Sequence, residues 1–231
     1  MNVPRARAAD GEAAYLDVRY AEALRPYTDY PSQLVSYLTH RYLSGQRGKK
    51  LPDLGSGRGE FLHHFAREGF DAVGMDRSRP ASPKYAEPVV VGDYAKDGLP
   101  FRDGELSVIF NKSVLEHVVD PSPLLGECHR VLAPGGTLLS LVPDFRAQWR
   151  HFYDDWTHVR PFTLPGLREC VACHGFVVRE AARFRQLPFL WKRPWLRPIA
   201  DVCTLLPNAF KSSKVVRFSK EWMLLVVAEK P

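Results

Sequence analysis

Lys50-Leu51-Pro52-Asp53-Leu54-Gly55-Ser56-Gly57-Arg58-Gly59-Glu60-Phe61-Leu62 is the stretch on which the reading of this chain turns. A short apolar run ends at alternate glycines. A helical pattern then begins at Glu60 and continues through Phe61, Leu62 and Phe65. The order predicts a strand, a tight turn and a helix. Glycine allows the sharp turn and lets the backbone approach a ligand closely. The free N–H groups of the helix start favour a negative group beside them. Taken alone, the loop also reads as a plain strand-to-helix turn.

Beyond this stretch, residues 72–75 form a short apolar run ending at Asp76, and residues 89–91 another ending at Gly92-Asp93. Residues 106–110 end at Asn111. Residues 121–132 have helical spacing and stop at Pro134-Gly135-Gly136, before a strand at 137–142. A helix at 164–174 and strands at 176–179 and 221–229 complete the pattern. Strands alternating with helices imply βαβ units and a parallel sheet with right-handed crossovers. An acid at a strand end about 20 residues past a glycine loop suits the hydroxyls of a ribose. Open sheets of this kind bind ligands at the carboxyl ends of their strands. Gly55, Gly57, Gly59, Asp76 and Asp93 are therefore expected to converge on one crevice.

At this point the chain resembles the class I S-adenosylmethionine-dependent methyltransferases, in their small-molecule subgroup. Residues 53–59 match the first motif, Gly74-Met75-Asp76 the second, and Gly92-Asp93-Tyr94 the adenine-binding segment. Leu99-Pro100-Phe101, residues 111–118 and residues 130–136 match the stretches that follow. The resemblance is strong over 48–145 and weak beyond. It implies a doubly wound, Rossmann-like α/β fold with a seven-stranded mixed sheet whose last strand is antiparallel. It also implies S-adenosylmethionine as cofactor. Gly55, Ser56 and Gly57 would then face the methionine part, and Asp53 would hold its amino group. Asp76, with Arg77 beside it, would take the ribose. Asp93 would accept from the adenine amino group with Tyr94 against the ring, and Asn111 would border the methionine end. Gly59 completes the loop. Two positions depart from the pattern. Pro52 replaces an aliphatic residue in the first strand, where a missing N–H weakens the ladder. Leu106-Ser107 replaces an aromatic residue followed by Asp.

A hydroxyl or protonated amine acceptor needs a base, and histidine titrates in the right range. Of 8 histidines, His158 is the first candidate. It lies in the loop 144–162, after the fifth strand, where Asp155 is placed to orient its imidazole. A structural loop histidine is the competing reading. His117 is second, expected to begin the helix after the fourth strand, with helix packing as its alternative. His63 and His64 read as packing or surface residues of the first helix. Cys170-Val171-Ala172-Cys173-His174 has the spacing of a haem attachment site. It also fits a helix packed through Leu164 and Leu167 and capped at Gly175, and that reading is adopted. No zinc-type cluster is evident, so no metal is expected.

Composition bounds the rest. The chain has 231 residues, 45% hydrophobic and 25% charged, the mix of a globular protein. It divides into an N-terminal helical cap, 1–48, and a cofactor-binding domain, 49–231. The start carries charges without the apolar core of a signal peptide, no apolar run reaches the length of a membrane span, and Cys is sparse. A cytoplasmic protein is expected. Lys and Arg number 32 against 26 Asp and Glu, a net +6. Such a balance suits nucleic acid, an anionic membrane or an anionic substrate. The acids of the expected cofactor site leave it unexplained. Residues 184–214 combine Phe189, Trp191 and Trp195 with Lys192, Arg193, Arg197 and Lys211. Three readings stand for this insertion: a lid over the acceptor, a patch touching a membrane or lipid-linked substrate, or a packed or dimerising elaboration. The function read here is methyl transfer to an oxygen or nitrogen of a small molecule, with a sugar or natural-product intermediate as candidate acceptor. A nucleic-acid partner is not expected and the oligomeric state is open. An RNA or protein methyltransferase, and a cofactor-binding module without catalysis, stand as alternatives.

Overall fold

The computed structural model describes residues 15–78, 84–196, 198, 201 and 221–231. Its centre is a sheet of seven strands: β1 (Lys50–Leu54), β2 (Asp71–Asp76), β3 (Val89–Val91), β4 (Leu106–Lys112), β5 (Leu132–Pro143), β6 (Val177–Arg185) and β7 (Trp222–Glu229). Their order across the sheet is 3-2-1-4-5-7-6, and β7 runs antiparallel to both neighbours. This is the mixed, doubly wound sheet expected from the sequence.

Strict alternation along the central strands fills both faces. Ile109, Leu138, Val142, Leu224 and Val226 belong to one apolar cluster; Phe110, Leu139, Leu141, Met223 and Leu225 belong to the other. The period of two is that of extended chain, and two buried faces explain why these strands read as nearly continuous apolar runs. The first cluster takes Leu124, Leu125 and Cys128 from α5 (Ser122–Val131) and Leu167 and Val171 from α7 (Leu164–Cys173). The second takes Leu34, Val35 and Leu38 from α2 (Tyr30–Tyr42) and Leu62 and Phe65 from α3 (Glu60–Arg67). Short helices α1 (Tyr15–Arg19), α4 (Tyr94–Asp97), α6 (Phe145–Gln148) and α8 (Pro188–Lys192) lie at the margins. None of the described helices is long and apolar enough to cross a membrane.

Three local expectations change. Pro134-Gly135-Gly136 lies within β5, as an irregularity between the pairs Leu106↔Leu132 and Val108↔Thr137. The Gly135 amide donates to Lys230 and the Lys230 amide to Gly136, so the chain end holds this kink in place. His117 does not begin a helix: it ends a 3-10 turn, Leu115–His117, and α5 starts only at Ser122. The β6 strand runs beyond residue 179, past the start of the expected insertion at 184. Its polar sequence hid it, because it is an edge strand stabilised by charge: Arg179 meets Glu229 at 2.7 Å, Arg183 meets Asp144 at 2.6 Å, and Arg183 and Arg185 stack on Trp222. In the insertion itself, α8 packs by Trp191 against Tyr37 of α2 and Phe184 of β6. Residues 197, 199–200 and 202–214, with Arg197, Leu205, Leu206 and Lys211, lie outside the described residues.

Pro52 is accommodated inside β1. It is paired with Val73 of β2, and the register with β4 starts only one residue later, at Asp53↔Phe110.

Candidate active site

The loop between β1 and α3 turns through three left-handed glycines, Gly55, Gly57 and Gly59, at φ 70°, 53° and 79°. Gly55 is fixed twice over, since a Cβ there would stand 2.3 Å from a methyl of Val114. Gly57 differs. Nothing lies within 4 Å of the place its Cβ would occupy, so its backbone borders open space. The Gly57 amide donates to the Asp76 carboxylate at 2.7 Å, and the Ser78 amide donates to the other oxygen at 3.2 Å. This ties the end of β2 to the glycine loop. Burial nevertheless raises the Asp76 carboxyl above its ordinary value.

Three polar atoms around this loop are buried without a hydrogen-bond partner: Asp53 Oδ2, Ser56 Oγ and the Tyr94 hydroxyl. Asp53 is pushed well above the usual carboxylate range, first by burial and then by the charge of Asp76. The Tyr94 ring packs over Gly92 at the start of α4, close enough to Asp76 to feel its charge. Asp93 lies beside it and is held by Lys96 at 3.0 Å and Arg77 at 3.6 Å. Asn111 is buried in the sheet and accepts from Ser140 of β5 at 2.7 Å. The structure thus brings Asp53, Gly55, Ser56, Gly57, Gly59, Asp76, Arg77, Asp93 and Tyr94 to one edge of the sheet. The Asn111 Oδ1 is engaged in a strand-to-strand bond. Orphaned acceptors and hydroxyls beside an open, glycine-lined backbone fit a ligand with an amino group and a ribose, as S-adenosylmethionine has.

A second polar cluster follows β4 and β5. His117 and His158 meet edge to face with ring centroids 4.7 Å apart. His158 Nδ1 stands 2.6 Å from the Phe152 carbonyl, which can only accept, so this nitrogen carries the proton. His117 Nδ1 stands 2.9 Å from the Thr157 hydroxyl, whose own proton goes to Asp155 at 2.7 Å. That hydroxyl oxygen therefore accepts from His117. In both rings Nε2 is left with the lone pair. Burial, with His158 next, lowers His117 to about 4, and burial lowers His158 as well. Asp155 is nearly inaccessible and anchors the cluster. Burial pushes its carboxyl up, but hydrogen bonds from Thr157 and Tyr15 and the charge of Arg19 outweigh that and hold it below the ordinary range. The Tyr15 hydroxyl donates at 2.8 Å, and Arg19 lies at 3.0 Å.

Sequence reasoning missed several members of this site. Glu116, fully buried next to His117, is pushed up to about 8, chiefly by burial. Thr157 and the N-terminal pair Tyr15 and Arg19 were not singled out either. Arg58, inside the glycine loop, is another. Its guanidinium donates to the carbonyls of Tyr20 and Arg25 at 3.0 and 2.7 Å, pairs with Glu60, and lies over the Tyr27 ring. A charged residue among loop glycines was the available signal for Arg58. Tyr15 and Arg19 gave none, because their partner lies far along the chain.

Residues 26–181 match the family described as Methyltransferase domain, and the chain belongs to this family, within the class I S-adenosylmethionine-dependent methyltransferases. It is 38% identical over 95 residues to an uncharacterized methyltransferase of Mycobacterium sp. (strain KMS), covering 38% of this chain and 36% of that protein. It is 30% identical over 120 residues to the ubiquinone biosynthesis O-methyltransferase of Pseudomonas aeruginosa (strain UCBPP-PA14), covering 48% of this chain and 51% of that one. The chain thus spans about a third to a half of the length of these curated relatives. Among solved structures, geranyl diphosphate C-methyltransferase from Streptomyces coelicolor A3(2) superposes with a TM-score of 0.61 at 18% identity, over 99% of this chain and 90% of that one. The methyltransferase solved in complex with the Haloferax volcanii Trm112 activator reaches 0.69, also at 18% identity, over 97% and 100%. At such identities the likeness concerns the fold.

Proposed function

We propose that the protein moves a methyl group from S-adenosylmethionine to an oxygen or nitrogen of a small molecule. The observation that carries this reading is the bond from the Gly57 amide to Asp76 beside an open backbone, with the unpartnered atoms of Asp53, Ser56 and Tyr94 around it. Asp76 would hold the ribose, with Arg77 beside it. Asp53 would hold the amino group. Asp93 and Tyr94 would hold the adenine, with Gly55, Ser56, Gly57 and Gly59 forming the cradle and Asn111 bordering the methionine end. When bound, the cofactor supplies a sulfonium methyl carbon open to in-line attack.

The chain's own contribution is to hold the acceptor and manage its proton. His158 and His117 present Nε2 lone pairs; Asp155 orients His117 through Thr157, and the Phe152 carbonyl orients His158. His158 would accept the acceptor's proton. The exposed rings of Trp149, Tyr153 and Trp156 flank this loop and suit an acceptor with a ring or lipid portion. A sugar-like or natural-product acceptor fits the same polar cluster. The insertion 184–214 would border the acceptor side.

Substituting His158→Ala tests the acceptor assignment. Turnover on a panel of hydroxylated and amino small molecules should fall at least tenfold, while the affinity for S-adenosylhomocysteine stays within twofold. Undiminished turnover would remove His158 from the reaction. Salt-sensitive binding and methylation of RNA, with no small-molecule turnover, would favour the nucleic-acid alternative.

A further inference from the structure

Glu116 is the group least satisfied by its surroundings. Its residue exposure is 0%, and neither carboxylate oxygen has a hydrogen-bond partner of acceptable geometry among the described residues. Burial pushes the carboxyl up to about 8, outweighing the Lys112 charge and the Ser113 side chain, which favour its ionised form. A buried carboxyl with both oxygens lacking a partner of good geometry calls for an explanation, and a bound ion is one.

Two observations beside it favour that explanation. One ligand atom each from Glu116, His117 and His158 lie within 4.8 Å of one another. The two imidazoles, moreover, are already wired as metal-binding imidazoles are. Each spends its Nδ1–H on an oxygen, the Phe152 carbonyl for His158 and the Thr157 hydroxyl for His117, and the latter is backed by Asp155. An oxygen acceptor behind a histidine fixes its tautomer and makes the other nitrogen the better donor.

We propose that Glu116, His117 and His158 bind a divalent transition-metal ion of the Zn²⁺, Fe²⁺ or Co²⁺ class, whose open positions take an oxygen of the methyl acceptor. Two imidazoles and one carboxylate suit these ions, whereas Mg²⁺ and Ca²⁺ prefer oxygen throughout. Three protein ligands leave coordination positions for a substrate. Ligand atoms about 2.1 Å from an ion stand roughly 3 to 3.5 Å apart, so the side chains draw inward when the ion binds. The sequence hid the site because its ligands come from two separate segments, the 3-10 turn after β4 and the loop after β5. The inference rests on the methyltransferase reading and gives the two imidazoles a ligand role; the ion would lower the pKa of a coordinated acceptor hydroxyl, whose proton leaves to water as the oxygen takes the methyl group.

The test uses the full chain, stripped with a chelator and desalted. Titration with Co²⁺ followed by visible absorption, and with Zn²⁺ by calorimetry, should show one ion per chain at micromolar affinity or tighter. The cobalt form should show d–d bands. Glu116→Gln and His117→Asn should each weaken binding at least tenfold, and His40→Ala, a surface histidine on α2, should leave it unchanged. No saturable binding by the wild-type protein would overturn the proposal, whatever the fate of the variants. So would binding that survives both site substitutions or is lost with His40→Ala. S-adenosylhomocysteine binding is measured on the same samples. If it persists without ion binding, the metal site fails and the methyltransferase reading stands; if it is absent, that reading fails first.

Discussion

Asp76 does two jobs in the free protein. It closes the glycine loop by accepting from Gly57, and it keeps an ionisable carboxyl at the mouth of the crevice. Replacing it with alanine removes both and leaves the core untouched. Asp76→Ala should weaken S-adenosylhomocysteine binding by more than tenfold in calorimetry; an unchanged affinity would refute the ribose role. Asp53 makes a different prediction. Burial and the neighbouring Asp76 raise its pKa well above 3.8, so in the free protein it keeps a proton to higher pH than an ordinary carboxyl. An ammonium group needs the ionised form. Binding therefore releases a proton, and affinity rises with pH through the raised Asp53 value and falls below it. Calorimetry in buffers of different ionisation enthalpy, run across a pH series, should detect proton release that fades as pH rises. Affinity in Asp53→Asn should be weaker and lose this pH dependence. A wild-type affinity that stays flat until ordinary carboxylates titrate would contradict the assignment.

At the scale of elements, the N-terminal segment connects the two halves of the site. Arg58 of the glycine loop holds the carbonyls of Tyr20 and Arg25, while Tyr15 and Arg19 of α1 hold Asp155 beside the two histidines. The segment from α1 to Arg25 is thereby fastened at both ends of the crevice. The Arg58 guanidinium is almost fully covered, with its side chain 9% exposed, so its hydrogen bonds to the backbone are those of a buried charge. Their loss is worth about 1.5–3 kcal/mol. Arg58→Ala should speed amide hydrogen exchange and proteolysis in residues 15–29 while leaving the sheet protected. Unchanged protection there would show that the segment is held by other contacts. The β6 strand teaches a related lesson. A strand held by Arg179–Glu229, Arg183–Asp144 and stacking on Trp222 has no apolar alternation to read, so its sequence looked like the start of a loop. The Pro-Gly-Gly stretch misled in the opposite direction. Its residues stop helices, but here a β irregularity needs Gly135 at φ 76°.

For the molecule as a whole, what was legible in the sequence follows the range of the forces. The order of strands and helices was readable because alternation and helical spacing are local, and two buried faces impose them on every central strand. The convergence of glycines and acids at one edge of the sheet was readable because they end three successive strands. His158 and Asp155 could be named from their loop. Their surroundings could not be, because Glu116, Thr157, Tyr15 and Arg19 meet only once the chain has folded. The net charge of +6 is likewise a property of the whole surface. Arg58, Arg130, Arg183 and Arg185 each pair with a carboxylate and so cancel, which leaves the excess to other positions. The claim on which the rest depends is that the glycine edge takes S-adenosylmethionine rather than a nicotinamide dinucleotide. Calorimetric titration of the full chain with S-adenosylhomocysteine and, separately, with NADH decides it. The account predicts saturable binding of S-adenosylhomocysteine at one per chain and none of NADH. Tight binding of NADH without binding of S-adenosylhomocysteine would contradict it.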